Sequence, residues 1–222
     1  MINKENLEII EKLYDFKYPE IYYRLLEDKM LDWGLTGSNW YGTEFPKLKN
    51  NPPLLLFGQD FEIIDSTDVI IQEIDDFSDT DDYRQTKAEF YYKFIPFGKT
   101  GAGDLYCFLL NKENEVCAII LVWHDANEVN ILSENFEKFI FRQLLESVVE
   151  PYEEGLIMSG NFKENIENQL NSHRKYLTKS QIEVLEEIYS REINNGLLDQ
   201  AEVERILMEN GIEDETFEYQ VE

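Results

Sequence analysis

The sequence predicts an α+β fold over residues 1–150 followed by an all-helical extension over 151–222, and three observations predict it. Residues 94–123 carry apolar runs separated by glycine-rich or polar turns, the pattern of a β-meander. The flanking segments repeat apolar residues at helical spacing. Beyond Pro151, helical spacing is joined by two capping-box sequences. With 222 residues, 43% hydrophobic and 14% aromatic, the chain can bury a sizeable core despite its charge.

The elements follow in order. Leu7, Ile10 and Tyr14 mark one stripe of a helix over 4–14, with Asn3 as its N-cap. Tyr18-Pro19-Glu20 opens a second helix, since proline suits a first helical position and glutamate a first turn. Its apolar spacing runs through Ile21, Tyr22, Leu25, Leu26, Met30 and Trp33 to Gly34. Residues 34–53, rich in glycine and proline, read as irregular loop anchored by Trp40 and Tyr41, and Leu54 to Phe57 as a short buried strand. Residues 60–89 form an acidic stretch, eleven acidic side chains against Arg84 and Lys87. Within it Val69, Ile70, Ile71 and Ile74 fit either a helix or a strand, and Asp75 to Asp82 reads as an exposed acidic loop.

Residues 89–96 open the meander, and 105–110 and 116–123 continue it. Both faces of the latter two runs are apolar, which predicts central strands covered on each side. Val129 and Ile131 suggest a fourth strand. Ser133 is placed to cap a helix with Phe136, Phe139, Ile140, Leu144 and Val148 on its buried stripe. Phe162, Ile166 and Leu170 mark the next helix. Thr178 with Gln181 boxes the start of another, carrying Ile182, Leu185, Ile188 and Tyr189 and stopped by Gly196. Asp199 with Glu202 boxes the last, with Val203, Ile206 and Leu207, which Gly211 ends.

Several functions are disfavoured. The first 17 residues are broken by charges and hold no apolar signal core, and no apolar run approaches the roughly 20 residues that span a bilayer. Read with Lys112-Glu113 as a two-residue turn, the hairpin sets position 107 opposite 118 and points Cys117 to the other face from Cys107. No disulfide is expected, and the chain reads as cytoplasmic with two buried thiols. Gly98-Lys99-Thr100 imitates the end of a phosphate-binding loop, but Lys93 stands where that loop needs glycine and a strand follows where it needs a helix. In Gly101-Ala102-Gly103 the dinucleotide fingerprint fails at Tyr106. Neither His124 nor His173 has a second histidine or a cysteine at ligand spacing, and the 75–82 acidic run lacks the glycine and closing glutamate of a calcium loop. His124-Asp125 shows no nucleophile, so it reads as a surface or turn pair. A small-molecule site or enzyme built on it and on the glycine turn is the least favoured reading. No catalytic residue, metal or cofactor is expected. The net charge of -26, from 46 acidic and 20 basic residues, disfavours nucleic acid and anionic membranes and favours basic partners.

Four segments resemble the core pattern of the SUKH superfamily. They are Phe94-Ile95-Pro96-Phe97-Gly98, then Gly103-Asp104-Leu105-Tyr106-Cys107-Phe108, the strand end Ile119 to His124, and Ser133-Glu134-Asn135-Phe136-Glu137-Lys138-Phe139. Tyr18-Pro19-Glu20 is similar to the Leu-Pro that opens the family's early helix. Two features depart from the pattern: Lys29 to Gly34 replaces the Asn-Gly-Gly that often follows that helix, and Leu109 stands where an acidic residue often follows the cysteine. The superfamily includes yeast regulators of cell-wall assembly and bacterial immunity proteins that neutralise polymorphic toxins. The resemblance implies an α+β fold with helices packed on a mixed or antiparallel sheet, and no catalysis. It implies an immunity protein binding a basic, nuclease-type toxin domain, or alternatively a regulatory scaffold binding a cellular protein through the C-terminal helices. The expected partner-binding residues are Asp60, Glu62, Asp65, Asp68, Asp75, Asp76, Asp79, Asp81, Asp82 and Tyr83, with Trp40 as an aromatic anchor.

Overall fold

The computed structural model describes residues 2–35, 37–78, 93–126, 128–151, 153–192 and 197–218. In chain order the elements are α1 (Lys4–Tyr14), α2 (Glu20–Glu27), the single-turn helices α3 (Trp40–Thr43) and α4 (Phe45–Leu48), β1 (Glu62–Ile63) and α5 (Thr67–Ser78). Then follow β2 (Lys93–Lys99), β3 (Leu105–Leu110), β4 (Val116–Val122), β5 (Glu128–Ser133), α6 (Phe136–Glu146), α7 (Phe162–His173), α8 (Lys179–Tyr189), α9 (Gln200–Glu209) and β6 (Glu215–Glu218). The fold is α+β. By its internal contacts the chain divides into two compact units, 1–28 with 62–136 and 213–222, and 29–61 with 137–212.

The first unit is built on one six-stranded sheet, ordered β1-β2-β3-β4-β5-β6 and antiparallel throughout. Its centre matches the sequence expectation, because every residue of β3 is buried. Pro96 sits in β2 between two neighbours, where a missing N–H would ordinarily break a ladder. A bulge resolves the conflict: Pro96 faces Cys107 and Gly98 faces Tyr106, leaving Phe97 as the extra residue. The bulged Phe97 is fully buried, 4.8 Å from Phe108 and 5.1 Å from Phe136, and its carbonyl accepts from the Ile64 N–H at 3.0 Å. Tyr22 of α2 meets Phe108 and Phe136 edge-on at 5.2 and 5.5 Å, so one aromatic cluster joins α2, β2, β3 and the start of α6.

The β3–β4 hairpin corrects the expected register. Its turn runs from Asn111 to Glu115, whose N–H and carbonyl pair across it, and Asn111 Oδ1 accepts the N–H groups of Glu113 and Glu115. Asn114 takes the left-handed conformation at φ 61°, which asparagine tolerates. Cys107 consequently faces Ile120 rather than position 118, and a second bulge leaves Cys117 between Val116, opposite Leu110, and Ala118, opposite Leu109. Cys107 is buried and Cys117 exposed, and both are free thiols, so only one of the two expected buried thiols is buried.

Helix α1 follows the expected pattern and gains a reciprocal cap, Asn3 and Asn6 each accepting the other's backbone N–H. Helix α2 ends at Glu27, short of the expected Trp33, because Lys29 turns left-handed at φ 60°. Asp75 belongs to α5, which settles the helix-or-strand ambiguity at Val69 to Ile74 in favour of helix. β6, in the region expected to be helical, pairs Val129 with Phe217 and Ile131 with Glu215.

The second unit holds most of α6, with α3, α4, α7, α8 and α9. The stretch 34–53 contains two helical turns rather than pure loop. Leu54 to Phe57 is buried as expected but is a turn, not a strand, with Leu55 at φ 52°. Its backbone is satisfied individually: Leu54 N–H donates to Met30 O at 2.7 Å, Trp33 Nε1 donates to Leu54 O at 3.1 Å, and Leu55 N–H donates to His173 Nε2 at 3.0 Å. Ser133 does not cap α6; its hydroxyl donates to Asn135 O. The Thr178–Gln181 box forms at α8. At α9 only half of the second box forms, because the Glu202 carboxylate is taken by Arg191 at 3.0 Å while Asp199 accepts the Glu202 N–H.

Two stability predictions follow from these cores. Phe108→Ala removes the ring at the centre of the aromatic cluster and should cost about 3–5 kcal/mol in urea unfolding. His173 is fully buried, and burial lowers its pKa from 6.5 to about 4. Its neutral ring accepts from Leu55 and donates from Nδ1 toward Gln169 O at 2.8 Å. The unfolded chain binds this proton more readily, so the contribution is full above about pH 6.5 and is lost as pH falls toward 4. The loss should amount to about 3 kcal/mol. His173→Leu should flatten the pH dependence of unfolding free energy between about pH 6.5 and 4.5.

Candidate interaction surface

The best-defined polar constellation lies where β2 turns into β3. Asp104 N–H donates to Thr100 Oγ1 at 3.0 Å, the Thr100 hydroxyl donates to Asp104 Oδ2 at 3.1 Å, and Thr100 N–H donates to Asp104 O at 2.8 Å. Gly103, at φ 105°, makes the turn in a region a side chain would strain. The other carboxylate oxygen, Oδ1, accepts the His124 N–H at 3.0 Å and lies 2.7 Å from His124 Nδ1. Burial pushes the Asp104 carboxyl up, but the His124 N–H, the imidazole and the Thr100 hydroxyl together outweigh it and hold the pKa below its ordinary value. The hydrogen bond to Asp104 raises the His124 pKa against its slight desolvation.

This arrangement fastens the end of β4 to the β2–β3 turn and is an ion pair when the imidazole is protonated. The Thr100 hydroxyl gives its proton to the carboxylate rather than to the imidazole, so threonine and histidine are not joined as nucleophile and base. In sequence His124 stands beside Asp125; the structure pairs it with Asp104, twenty residues away. The available signal was the meander register: Leu105 faces Val122, which brings the residues just beyond them, 104 and 123–124, to one end of the sheet.

Among the described residues no group of three or more His, Cys, Asp or Glu is arranged to hold a metal ion. None of the described helices is long and apolar enough to cross a membrane. In the second unit a cleft of about 300 Å³ is lined by both polar and apolar side chains, Leu170 and Tyr189 among them, and the Arg174 guanidinium in it is bonded to Glu186 at 2.8 Å.

The expected partner-binding residues are distributed unevenly. Glu62 on β1, Asp65 after it, and Asp68 and Asp75 on α5 lie on consecutive elements of the first unit. Glu62, Asp68 and Asp75 are exposed and Asp65 is half-buried. Glu62 approaches Lys99 at 3.5 Å, and Asp75 Oδ1 accepts from the Tyr14 hydroxyl at 3.2 Å. Asp76 is a residue of α5. Asp79, Asp81, Asp82 and Tyr83 lie outside the described residues. Asp60, exposed, and Trp40 belong to the second unit. Trp40 is half-buried, stacks on Trp33 at 6.3 Å and donates Nε1 to Trp33 O at 2.7 Å, which is the geometry of a packing anchor. Tyr41 is the more exposed ring, stacked on Phe45 and bonded to Ser159 Oγ at 2.7 Å.

An α+β protein built on an antiparallel meander around a buried aromatic cluster is the class that this geometry defines. The chain belongs to the SMI1 / KNR4 family (SUKH-1), whose pattern matches residues 1–142. No curated protein and no solved structure matches it.

Asp104→Asn should return the His124 pKa toward its ordinary value near 6.5, read by following the imidazole resonances against pH. The pair's stabilisation should be present above the ordinary carboxylate range. It should be full below about pH 6.5 and be lost as pH rises through the folded pKa of His124.

Proposed function

We propose that the chain is a non-enzymatic binding protein, a cytoplasmic immunity protein of the SUKH type that occupies and neutralises a basic, nuclease-type toxin domain. The observation that carries this reading is the net charge of -26 on a member of this family. A surface so acidic is opposite in sign to the phosphate-binding cleft of a nuclease, and such complementarity speeds encounter and rejects partners of like charge. Glu62, Asp65, Asp68 and Asp75, on β1, after it and on α5, are the centre of the proposed set; Asp60, Asp76, Asp79, Asp81, Asp82, Tyr83 and Trp40 complete it.

The test is co-expression with any toxin domain that is encoded beside the gene. Protection of the cells and a stable complex are expected. Growth arrest without any complex would sink the reading. In the purified complex the association rate should fall about tenfold or more between about 50 and 500 mM salt, while dissociation changes far less. Stopped-flow mixing across that range reads both rates.

A further inference from the structure

Six large hydrophobic side chains are exposed among the described residues, and three of them fall on α1 and α5: Ile9 at 45%, Leu13 at 59% and Val69 at 40%. Ile9 and Leu13 are one turn apart and therefore adjacent on the helix surface. Glu5 continues the same stripe one turn earlier, and Glu8 and Lys12 run beside it. The core-facing stripe of α1 is a different one, made of Leu7, Ile10 and Glu11, so burial in this fold does not account for the outward pair. The end of α1 that carries Leu13 is tied to α5 through the hydroxyl of the next residue, Tyr14, on Asp75. On α5, Val69 is flanked by exposed Asp68, and Asp75 lies further along the helix.

We propose that the outward faces of α1 and α5 form the docking surface for the basic protein partner, with Ile9 and Leu13 as apolar anchors and Glu5, Glu8, Asp68 and Asp75 as the acidic rim. The inference rests on the function proposed above and adds α1 to the contact surface. Apolar anchors inside a charged rim are the usual composition of an interface centre, where the anchors supply most of the affinity and the rim sets partner choice. The charge decides the occupant. A second copy of this chain would bring another -26 onto the first, whereas a basic protein meets carboxylates with lysine or arginine around its own apolar contact.

The test compares four proteins by calorimetry against any toxin domain that is encoded beside the gene: wild type, Ile9→Ala/Leu13→Ala, Glu5→Lys/Glu8→Lys, and Met208→Ala. Met208, on α9, is an apolar side chain more exposed than either Ile9 or Leu13. The first two variants should weaken binding about tenfold or more and the third less than about twofold. All replaced side chains are exposed, so urea midpoints should stay close to wild type; if the alanine pair loses fold, Ile9→Gln/Leu13→Gln takes its place. Wild-type binding that both α1 variants leave unchanged overturns this surface while the proposed function stands. If wild type binds no toxin domain, the function falls, and the surface is decided by a helical leucine–lysine peptide of about 14 residues titrated into labelled protein. Amide shifts concentrated on α1 and α5, and lost in Ile9→Ala/Leu13→Ala, retain it. Shifts elsewhere overturn it.

Discussion

The bulge at Phe97 is the constraint on which the first unit depends. A proline inside a strand with neighbours on both sides is normally excluded, because the ladder loses a donor. Here the extra residue absorbs that loss, and it turns Phe97 inward as well as Phe94 and Ile95, so β2 is buried from 94 to 98. Phe97, Phe108, Phe136 and Tyr22 can then meet in one cluster, each pair at edge or tilted geometry or offset stacking. The Phe-Ile-Pro-Phe-Gly sequence is in this sense a packing instruction: proline forces the bulge, glycine lets the strand resume, and the ring between them fills the core.

A chain with this excess of carboxylates is pushed apart by its own field. The structure offsets it locally. Glu11 is buried, yet its carboxylate accepts the Tyr18 N–H at 2.9 Å and Lys17 Nζ at 2.6 Å, so the charge is both hydrogen-bonded and paired. Arg191 holds Glu187 and Glu202 together, bridging α8 and α9 in a chain with few arginines to spare. Other cations pair with carboxylates at the surface, as Lys99 does with Glu62 and Arg205 with Glu209.

How much could be read beforehand depended on whether the deciding interaction was local. The caps of α1 and α8, the covered central strands and the stripe of α6 are short-range patterns, and they were legible. Helix α2 was overestimated because apolar spacing continued through Met30 and Trp33 while a single left-handed residue, Lys29, ended it. Leu54 to Phe57 looks like a strand by hydrophobicity alone; what makes it a turn is His173, more than a hundred residues later, which supplies an acceptor that no local pattern reveals. The Asp104–His124 pair was hidden for the same reason. The acidic stretch was visible as composition, but the placement of Glu62 on β1 and of Asp68 and Asp75 on α5 needed the fold.

The second bulge, at Cys117, gives the sheet a built-in reporter. The two cysteines lie on adjacent strands, yet one thiol is reachable from solvent and the other is sealed, with burial raising the pKa of each. A small alkylating reagent would modify the intact protein once, slowly, at the rim of β4, and could reach Cys107 only when β3 leaves its neighbours. The stoichiometry of labelling therefore measures how often the centre of the meander opens, with no residue introduced for the purpose.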